Sequence, residues 1–166
     1  LDIGTGSGII PIILKSKWSE AQIYGLDVSK EALAIAQTNA IAHSLEINLM
    51  AMDILKKEPD HQFDILVSNP PYVLEKEKAA MHPNVLGKDP DLALFVSDKD
   101  PLVFYRRICQ LLPKLLRAEG RVYFEINEKY GQEVKALMVS QQLGDVKIHS
   151  DLNGKDRIVS GVKPSK

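Results

Sequence analysis

The segment Leu1-Asp2-Ile3-Gly4-Thr5-Gly6-Ser7-Gly8 is the end of an apolar strand that runs straight into a loop with three glycines. Glycine permits a tight turn and lets a ligand approach the backbone, and the amides at the start of a following helix would point into the site. Asp27 lies nineteen residues after Gly8, at the end of the next predicted strand, where its carboxylate suits the two hydroxyls of a ribose. The pattern predicts a nucleoside cofactor, and the loop alone leaves NAD and S-adenosylmethionine both open.

Strand and helix signals alternate beyond this loop. Apolar patterns predict helices at 9–17, 30–42 (with Ser29 as N-cap), 101–116 and 128–142, and strands at 22–26, 47–50, 63–68 and 120–126. Two further strand-like segments, 146–150 and 156–162, flank the turn signal Asn153-Gly154. We therefore expect an α/β, Rossmann-like fold with a mostly parallel seven-stranded sheet and an antiparallel C-terminal hairpin.

Composition limits the class of protein. With 166 residues, 45% of them hydrophobic, the chain is long enough for one domain with a substantial core. A net charge of −1 gives no support for a nucleic-acid partner, and the four histidines lack the spacing of metal ligands. The single cysteine, Cys109, fits a reducing compartment, and no apolar run has the length of a membrane span. We expect a cytoplasmic monomer without a metal, a membrane anchor or a direct nucleic-acid contact.

A second motif, Asn69-Pro70-Pro71-Tyr72, directly follows the predicted strand 63–68. The Asn69 side-chain carbonyl and a main-chain carbonyl of the prolines can each accept one hydrogen of an NH2 group. The Tyr72 ring offers a face on which a flat amide or base can stack. Such a pocket suits an amine that is to be alkylated. Together with Asp2 before the first glycine and Asp53 near the end of the third strand, it favours S-adenosylmethionine over NAD.

Two features of the chain's organisation are unusual. The connection from Val73 to about Asp100 is far longer than the roughly 4–6 residues of most links. Because it leaves from Tyr72, we interpret it as a lid or a substrate-docking surface over the pocket, with a disordered insertion as the alternative. The chain also opens on Leu1 at the last residues of a strand signal. We expect it to be part of a longer protein.

Both motifs resemble those of class I methyltransferases that act on amine or amide nitrogen. Four later segments narrow the resemblance to the release-factor glutamine methyltransferases, the PrmC/HemK family: Asp89-Pro90-Asp91-Leu92-Ala93-Leu94, Phe104-Tyr105-Arg106-Arg107-Ile108, Tyr123-Phe124-Glu125-Ile126 and Asp151-Leu152-Asn153-Gly154-Lys155-Asp156-Arg157. The chain departs from the family pattern at Asp89, where glutamate is usual, around 96–100, and at Asn127, where glycine is usual. These departures affect the expected lid and rim more than the pocket.

The resemblance implies methylation of the glutamine amide in the Gly-Gly-Gln loop of a peptide chain release factor. S-adenosyl-L-methionine would be the cofactor and S-adenosyl-L-homocysteine the product. Residues 1–166 would form the catalytic domain, truncated at its N-terminus, with a helical recognition domain upstream. The catalytic residues would be Asn69, Pro70, Pro71 and Tyr72, and the cofactor-binding residues Asp2, Gly4, Thr5, Gly6, Ser7, Gly8, Asp27, Asp53, Ile54 and Asn69.

Individual roles follow from the chemistry of these groups. Asn69 Oδ1 and the Pro70 carbonyl would hold the two amide hydrogens, and Tyr72 would hold the amide plane. Asp27 would bind the ribose hydroxyls, while Asp53 and Ile54 would lie along the adenine. The backbone of the glycine loop would approach the methionine end of the cofactor.

Several alternatives remain open from the sequence. An N6-adenine methyltransferase acting on nucleic acid would share the pocket but should add a basic groove, for which Arg106, Arg107, Lys114 and Arg117 are the candidates. A glutamine methyltransferase acting on a ribosomal protein would also fit. A non-catalytic nucleoside-binding module, or an NAD-dependent domain, would explain the glycine loop but not the second motif. Arg157 is interpreted as the partner of Asp156 in a hairpin salt bridge, and Cys109 as a core residue.

Overall fold

A computed structural model describes residues 1–71, 73–74, 95–96 and 100–165 of the chain. Tyr72, nearly all of the predicted lid and the segment around Asp89 lie outside the described residues. The descriptions below concern the described part of the chain. None of its helices is both long enough and apolar enough to cross a membrane.

Strands and helices alternate as the sequence predicts. The helices are α1 (Ile9–Lys17), α2 (Lys30–Ala42), α3 (Val103–Leu115) and α4 (Gly131–Ser140), with a short 3-10 turn at Glu128–Tyr130 before α4. The strands are β1 (Asp2–Ile3), β2 (Tyr24–Asp27), β3 (Asn48–Ala51), β4 (Phe63–Ser68), β5 (Val73–Leu74), β6 (Phe95–Val96), β7 (Leu116–Glu125), β8 (Gly144–Ser150) and β9 (Asp156–Val162). The helix predicted at 9–17 and the strand predicted at 63–68 have the predicted bounds.

Seven of these strands form one sheet in the order β3-β2-β1-β4-β7-β9-β8. Within this sheet the neighbouring strands β3, β2, β1, β4 and β7 are parallel, whereas β9 is antiparallel to both β7 and β8. The predicted fold class is therefore confirmed, including the antiparallel hairpin at the edge. The chain leaves β1 to one side for β2 and β3 and then crosses to its other side for β4, so the direction of winding reverses between β1 and β4. In open α/β sheets, ligands bind in the crevice outside the carboxyl ends of the strands at such a reversal.

Most elements begin and end within three residues of their predicted bounds, and two differ more. Strand β7 starts at Leu116, immediately after α3, and its pairing with β4 shifts register between Phe63 and Ile65. The charged residues Arg117 and Glu119 interrupt the apolar pattern there, and Glu119 has a positive φ of 62°, so the alternation is visible only from Gly120 onward. The second difference is the pair β5 and β6, which form a separate two-stranded parallel sheet. Two-residue strands about twenty residues apart carry no readable periodicity.

The main core lies between the seven-stranded sheet and helices α3 and α4. Helix α3 contributes the largest share of its buried side chains: Tyr105, Ile108, Cys109, Leu111, Leu112 and Leu115. The prediction that Cys109 is a core residue is confirmed, and burial raises the pKa of its thiol to about 12. The thiol is therefore neutral at physiological pH and acts as a small apolar group.

Candidate functional site

The glycine loop is a tight turn fixed to the neighbouring strand. Gly4, Gly6 and Gly8 all have positive φ angles, of 77°, 54° and 80°, a backbone region that costs L side chains energy. The amides of Gly4 and Thr5 both donate to the carbonyl of Leu26 in β2, at 2.8 and 3.0 Å. The loop then enters α1 with Gly8 as its N-cap residue. The conformation explains why glycine occupies these three positions.

Asp27 lies at the carboxyl end of β2 and contacts the loop directly. Its Oδ2 accepts a hydrogen bond from the Gly6 amide and its Oδ1 accepts one from the Ser29 amide, each at 2.9 Å. Ser29 in turn caps α2, since its hydroxyl accepts from the Ala32 amide at 3.1 Å. Each carboxylate oxygen retains acceptor capacity after one such bond. The structure thus places Asp27 against the loop, and its ribose role stays a prediction.

Asp2 and Thr5 are buried polar residues at the base of the loop. Neither carboxylate oxygen of Asp2, nor the Thr5 hydroxyl, has a hydrogen-bond partner among the described residues. Burial raises the pKa of Asp2 from 3.8 to about 6, a rise that the nearby Thr5 hydroxyl partly opposes. Buried polar groups normally have hydrogen-bond partners, so these atoms at the base of the glycine loop are candidates for contact with a ligand.

The second motif lies beside the glycine loop because β1 and β4 are neighbours. Ile3 pairs with Ser68, whose hydroxyl also donates to the Ile3 carbonyl at 2.7 Å. A side-chain carbon added at Gly4 would stand 3.8 Å from the Asn69 carbonyl oxygen, an ordinary contact distance, so the glycine loop and the second motif are neighbours. Asn69 itself is exposed, whereas Pro70 is buried and Pro71 is half-buried. The structure therefore brings together the two motifs, which are more than sixty residues apart in the chain.

The other predicted cofactor-binding residues, Asp53 and Ile54, follow β3, which is separated from β1 by β2 in the sheet. Asp53 accepts a hydrogen bond from the Leu55 amide at 3.0 Å and forms an ion pair with Lys56 at 2.9 Å. The hydrogen bond from Lys56 is the main cause of the lowered pKa of Asp53. Ile54 is only 5% exposed and packs in the main core, which leaves little of its side chain for a ligand. Its role along the adenine stays a prediction.

Sequence reasoning missed the residues that brace these loops. The Asn39 side-chain amide donates to the Ser7 carbonyl at 2.9 Å and so ties α2 to the glycine loop. Arg107 Nε donates to the Ile54 carbonyl at 3.1 Å. The Tyr105 hydroxyl donates to the Glu125 carbonyl at 2.9 Å, at the end of β7 and next to the second motif. Bonds from side chains to distant backbone carbonyls leave no mark on local sequence patterns, although Tyr105 and Arg107 lie within the Phe104–Ile108 segment that resembles the family.

The remaining predictions concern the hairpin and metal binding. Arg157 Nε pairs with Asp151 at 2.9 Å, while Asp156 accepts a hydrogen bond from the Ser150 hydroxyl at 3.0 Å. The hairpin salt bridge of Arg157 is therefore present, with Asp151 as the partner that the structure shows in place of Asp156. Among the described residues, no three histidine, cysteine or carboxylate side chains cluster in a way that could hold a metal ion.

Comparison with known proteins agrees with this geometry. Residues 1–88 match the family model of the methyltransferase small domain. The chain is 46% identical over 162 residues to a release factor glutamine methyltransferase from Bacteroides thetaiotaomicron, a match that covers 96% of the chain and 58% of that relative. It is 44% identical over 160 residues to the protein of the same name from Flavobacterium psychrophilum, covering 96% of the chain and 56% of the relative. The chain thus spans a little over half the length of these relatives. The resemblance found in the motifs is confirmed.

Solved structures agree at the level of the fold. A methyltransferase from Pyrococcus furiosus superimposes with a TM-score of 0.71 at 17% identity, over 99% of this chain and 75% of that one. A ribosomal protein L11 methylase from Lactobacillus delbrueckii subsp. bulgaricus gives a TM-score of 0.67 at 21% identity, over 99% and 68%. At these identities the likeness shows a shared fold and leaves the acceptor undefined.

Proposed function

We propose, from the premise that the chain belongs to the methyltransferase small domain family, that it transfers a methyl group from S-adenosylmethionine to the side-chain amide nitrogen of a glutamine. The acceptor is the glutamine of the Gly-Gly-Gln motif in a peptide chain release factor. One observation carries this proposal: the glycine loop and Asn69-Pro70-Pro71 lie side by side at the carboxyl ends of β1 and β4. This arrangement would join a nucleoside-binding loop to a pocket for an NH2 group, which an NAD-dependent domain would not need.

The residues present fit S-adenosylmethionine. The unpartnered carboxylate of Asp2 and the hydroxyl of Thr5 suit the polar methionine end of the cofactor, close to the open backbone of the glycine loop. Asp27 retains acceptor capacity and suits the ribose hydroxyls. Asp53 comes after the neighbouring strand β3, where it would lie along the adenine. When bound, the cofactor supplies a methyl group that the positive sulfur has already activated.

The chain's own contribution is to hold the acceptor amide. An amide nitrogen is a poor nucleophile because its lone pair is delocalised into the carbonyl. Asn69 Oδ1 and the Pro70 carbonyl accept its two hydrogens, which raises the electron density on nitrogen and fixes its direction of approach. Held by these two oxygens, the nitrogen would accept the methyl group that the bound cofactor supplies and would then release a proton to water. Positioning therefore supplies most of the catalysis, and no dedicated base is required.

The choice of acceptor rests on the relatives. Those with 44–46% identity carry the name release factor glutamine methyltransferase, and the similarity extends over 96% of the chain, beyond the two motifs. The basic residues that an adenine methyltransferase would need are engaged elsewhere: Arg117 pairs with Asp64 at 2.8 Å, Arg106 with Asp100 at 2.7 Å, and Lys114 with Glu58. A release factor is accordingly favoured over nucleic acid as the substrate. The cytoplasmic location and the monomeric state stay predictions.

The test is mass spectrometry of a purified bacterial release factor after incubation with S-adenosylmethionine and the full-length protein. We expect one added methyl group on the peptide that contains Gly-Gly-Gln. The variant Asn69→Ala should lose the activity by about a hundredfold or more even at saturating S-adenosylmethionine, because the acceptor amide is no longer held. Cofactor binding without methylation of the release factor would overturn the proposed acceptor, and ribosomal proteins and nucleic acid would then be assayed.

A further inference from the structure

We propose that the tip of the β8–β9 hairpin, residues Asp151–Lys155, is a docking element for the protein that carries the acceptor glutamine, with Leu152 as its contact side chain. This inference rests on the proposed function and identifies the surface that receives the substrate. The hairpin tip belongs to the Asp151–Arg157 segment, which the methyl-transfer chemistry itself does not use. Three observations support it: the position of the tip, its internal bonding and the chemistry of the surface that it presents.

The tip stands at the same edge of the sheet as the acceptor pocket. Ser68, the last residue of β4, pairs with Phe124 in β7, and Phe124 pairs with Val159 in β9. Two strand spacings place β9 about 10 Å to the side of β4. Strand β9 begins three residues before Val159, so the hairpin rises about 10 Å beyond the level at which β4 ends. The tip is therefore a raised rim beside Asn69.

The tip is held in one conformation by Asp151. Its Oδ1 accepts hydrogen bonds from the amides of Asn153 and Lys155, at 2.8 and 3.0 Å. Its Oδ2 pairs with Arg157 Nε at 2.9 Å, and its backbone carbonyl accepts from the Gly154 amide at 3.0 Å. Gly154 adopts a φ of 76°, which the reversal of the chain requires. A surface ordered before binding loses little conformational entropy when a partner docks.

The tip presents an apolar side chain with its charges already paired. Leu152 is fully exposed, at 107% of the reference area, and packs against nothing. The carboxylate of Asp151 is paired with Arg157, and the ammonium of Lys155 is paired with Glu128 at 3.2 Å. A nucleic-acid ligand would call for unpaired cations, whereas a leucine between compensated charges suits an apolar patch on a protein. Single exposed leucines are common on surfaces, and it is the combination with this rigid rim that gives Leu152 a role.

Because the acceptor glutamine side chain is short, the protein that carries it must come into contact with the rim. A glutamine side chain extends only a few bonds from its backbone, so a protein that inserts one beside Asn69 must lay its flanking residues over the surrounding surface. A rim about 10 Å to the side and about 10 Å high lies within the footprint of even a small interface. A folded acceptor therefore meets Leu152, while a short peptide that enters the pocket alone does not.

The test compares two acceptors of the full-length protein: a purified release factor and a short synthetic peptide that contains Gly-Gly-Gln. For Leu152→Asp we expect KM for the release factor to rise about tenfold with kcat unchanged, because an apolar contact made on docking is lost. Activity on the peptide and affinity for S-adenosylhomocysteine should not change. Leu152→Met should restore the KM of the wild-type protein, since it keeps an apolar side chain of similar size.

The matched control is Ile41→Asp. Ile41 is another exposed aliphatic residue, but it lies at the end of α2, toward the opposite edge of the sheet. An equal KM for the release factor in the wild-type protein and Leu152→Asp would overturn the inference and leave the proposed function intact. An equal rise in both variants would overturn it as well, because the effect would not be specific to the rim. If the wild-type protein methylates neither acceptor, the proposed function is wrong and the inference falls with it.

Discussion

Asp2 is the residue whose environment says most about ligand binding. Its carboxyl group is buried beside the glycine loop with no hydrogen-bond partner among the described residues, and its pKa is raised to about 6 mainly by burial. A positively charged ligand group would stabilise the ionised form and reverse that rise. The ammonium of the cofactor's methionine end is such a group, so Asp2 should respond to both pH and cofactor.

Asp2→Asn should weaken the binding of S-adenosylhomocysteine by about 2 kcal/mol, or about thirtyfold, because a charged hydrogen bond is replaced by a neutral one. In the unsubstituted protein, Asp2 takes up a proton as the pH falls through about 6, so the affinity should decline over that range. The decline should be absent in Asp2→Asn. Calorimetric titration across this pH range measures both effects, and a parallel pH dependence in the two proteins would contradict the assignment.

The effect of Asp2 on folding stability should have the opposite pH dependence: as the pH falls, stability should rise whereas cofactor affinity should decline. The pKa of Asp2 is raised on folding, from 3.8 to about 6, so the native state favours the protonated form. Its contribution to the free energy of unfolding therefore becomes more favourable as the pH falls from above about 6 toward 3.8. Asp2→Asn should not lower the free energy of unfolding at neutral pH. Urea denaturation checks this and separates a loss of binding from a loss of structure.

At the level of elements, the connection from β3 to β4 is held against α3 by four side chains. Arg107 donates to the Ile54 carbonyl and lies 3.5 Å from Glu58, which also pairs with Lys114. The Gln62 side-chain amide donates to the Lys114 carbonyl at 3.1 Å. These contacts fix the loop that contains Asp53. If Asp53 and Ile54 line the adenine as the sequence predicts, Arg107 is a positioning residue for that side of the cofactor site.

Arg107→Met should lower the affinity for S-adenosylhomocysteine about fivefold, since a net hydrogen bond of about 1 kcal/mol no longer orders the loop. Arg117→Met is the matched control, because Arg117 pairs with the exposed Asp64 at the start of β4 and touches no site residue shown by the structure. Affinity and thermal melting should be measured together for both variants. Equal affinities in the two variants would show that the loop needs no support from α3.

The bounds of the elements also show which parts of the fold can be predicted from the sequence. Helix α1 and strand β4 could be predicted to the residue, because a glycine loop and an Asn-Pro-Pro segment mark their ends. The sequence predicts a start for β7 that is four residues too late, because Arg117 and Glu119 interrupt the apolar pattern where the pairing with β4 shifts register. For the site, local motifs identified the loops that meet, as at Gly4 and Asn69. The bracing by Arg107 could not be predicted, because it depends on which helix packs against which connection.

At the scale of the whole molecule, the close packing of α1 against α2 limits which side chains fit at position 8. A side-chain carbon added at Gly8 would stand 2.9 Å from the Ala36 Cβ, closer than real contacts allow, and Gly8 also has a φ of 80°. Gly154 has a similar φ of 76° with nothing within 4 Å of the added carbon. The two glycines thus share the same backbone strain and differ in packing.

Gly154→Ala should lower the free energy of unfolding by about 1–2 kcal/mol through backbone strain alone. Gly8→Ala should lower it by a further 1–3 kcal/mol, roughly the cost of overpacking, because α1 and α2 must move apart. Chemical denaturation of both variants and of Gly8→Ala combined with Ala36→Gly measures the difference. The second substitution should recover part of the loss; no recovery would place the cost in the backbone conformation instead.

The position of β1 between β2 and β4 also has a consequence for biosynthesis. A ribosome delivers β1, β2 and β3 before β4, so the nascent chain first has one edge of its innermost strand unpaired. Unpaired strand edges are templates for aggregation. That edge is covered only after residue 68 has left the exit tunnel, and β4 itself stays open until β7, which is synthesised much later, reaches it. Chaperones that hold growing chains should therefore matter most for this protein in the interval between the synthesis of β3 and that of β7.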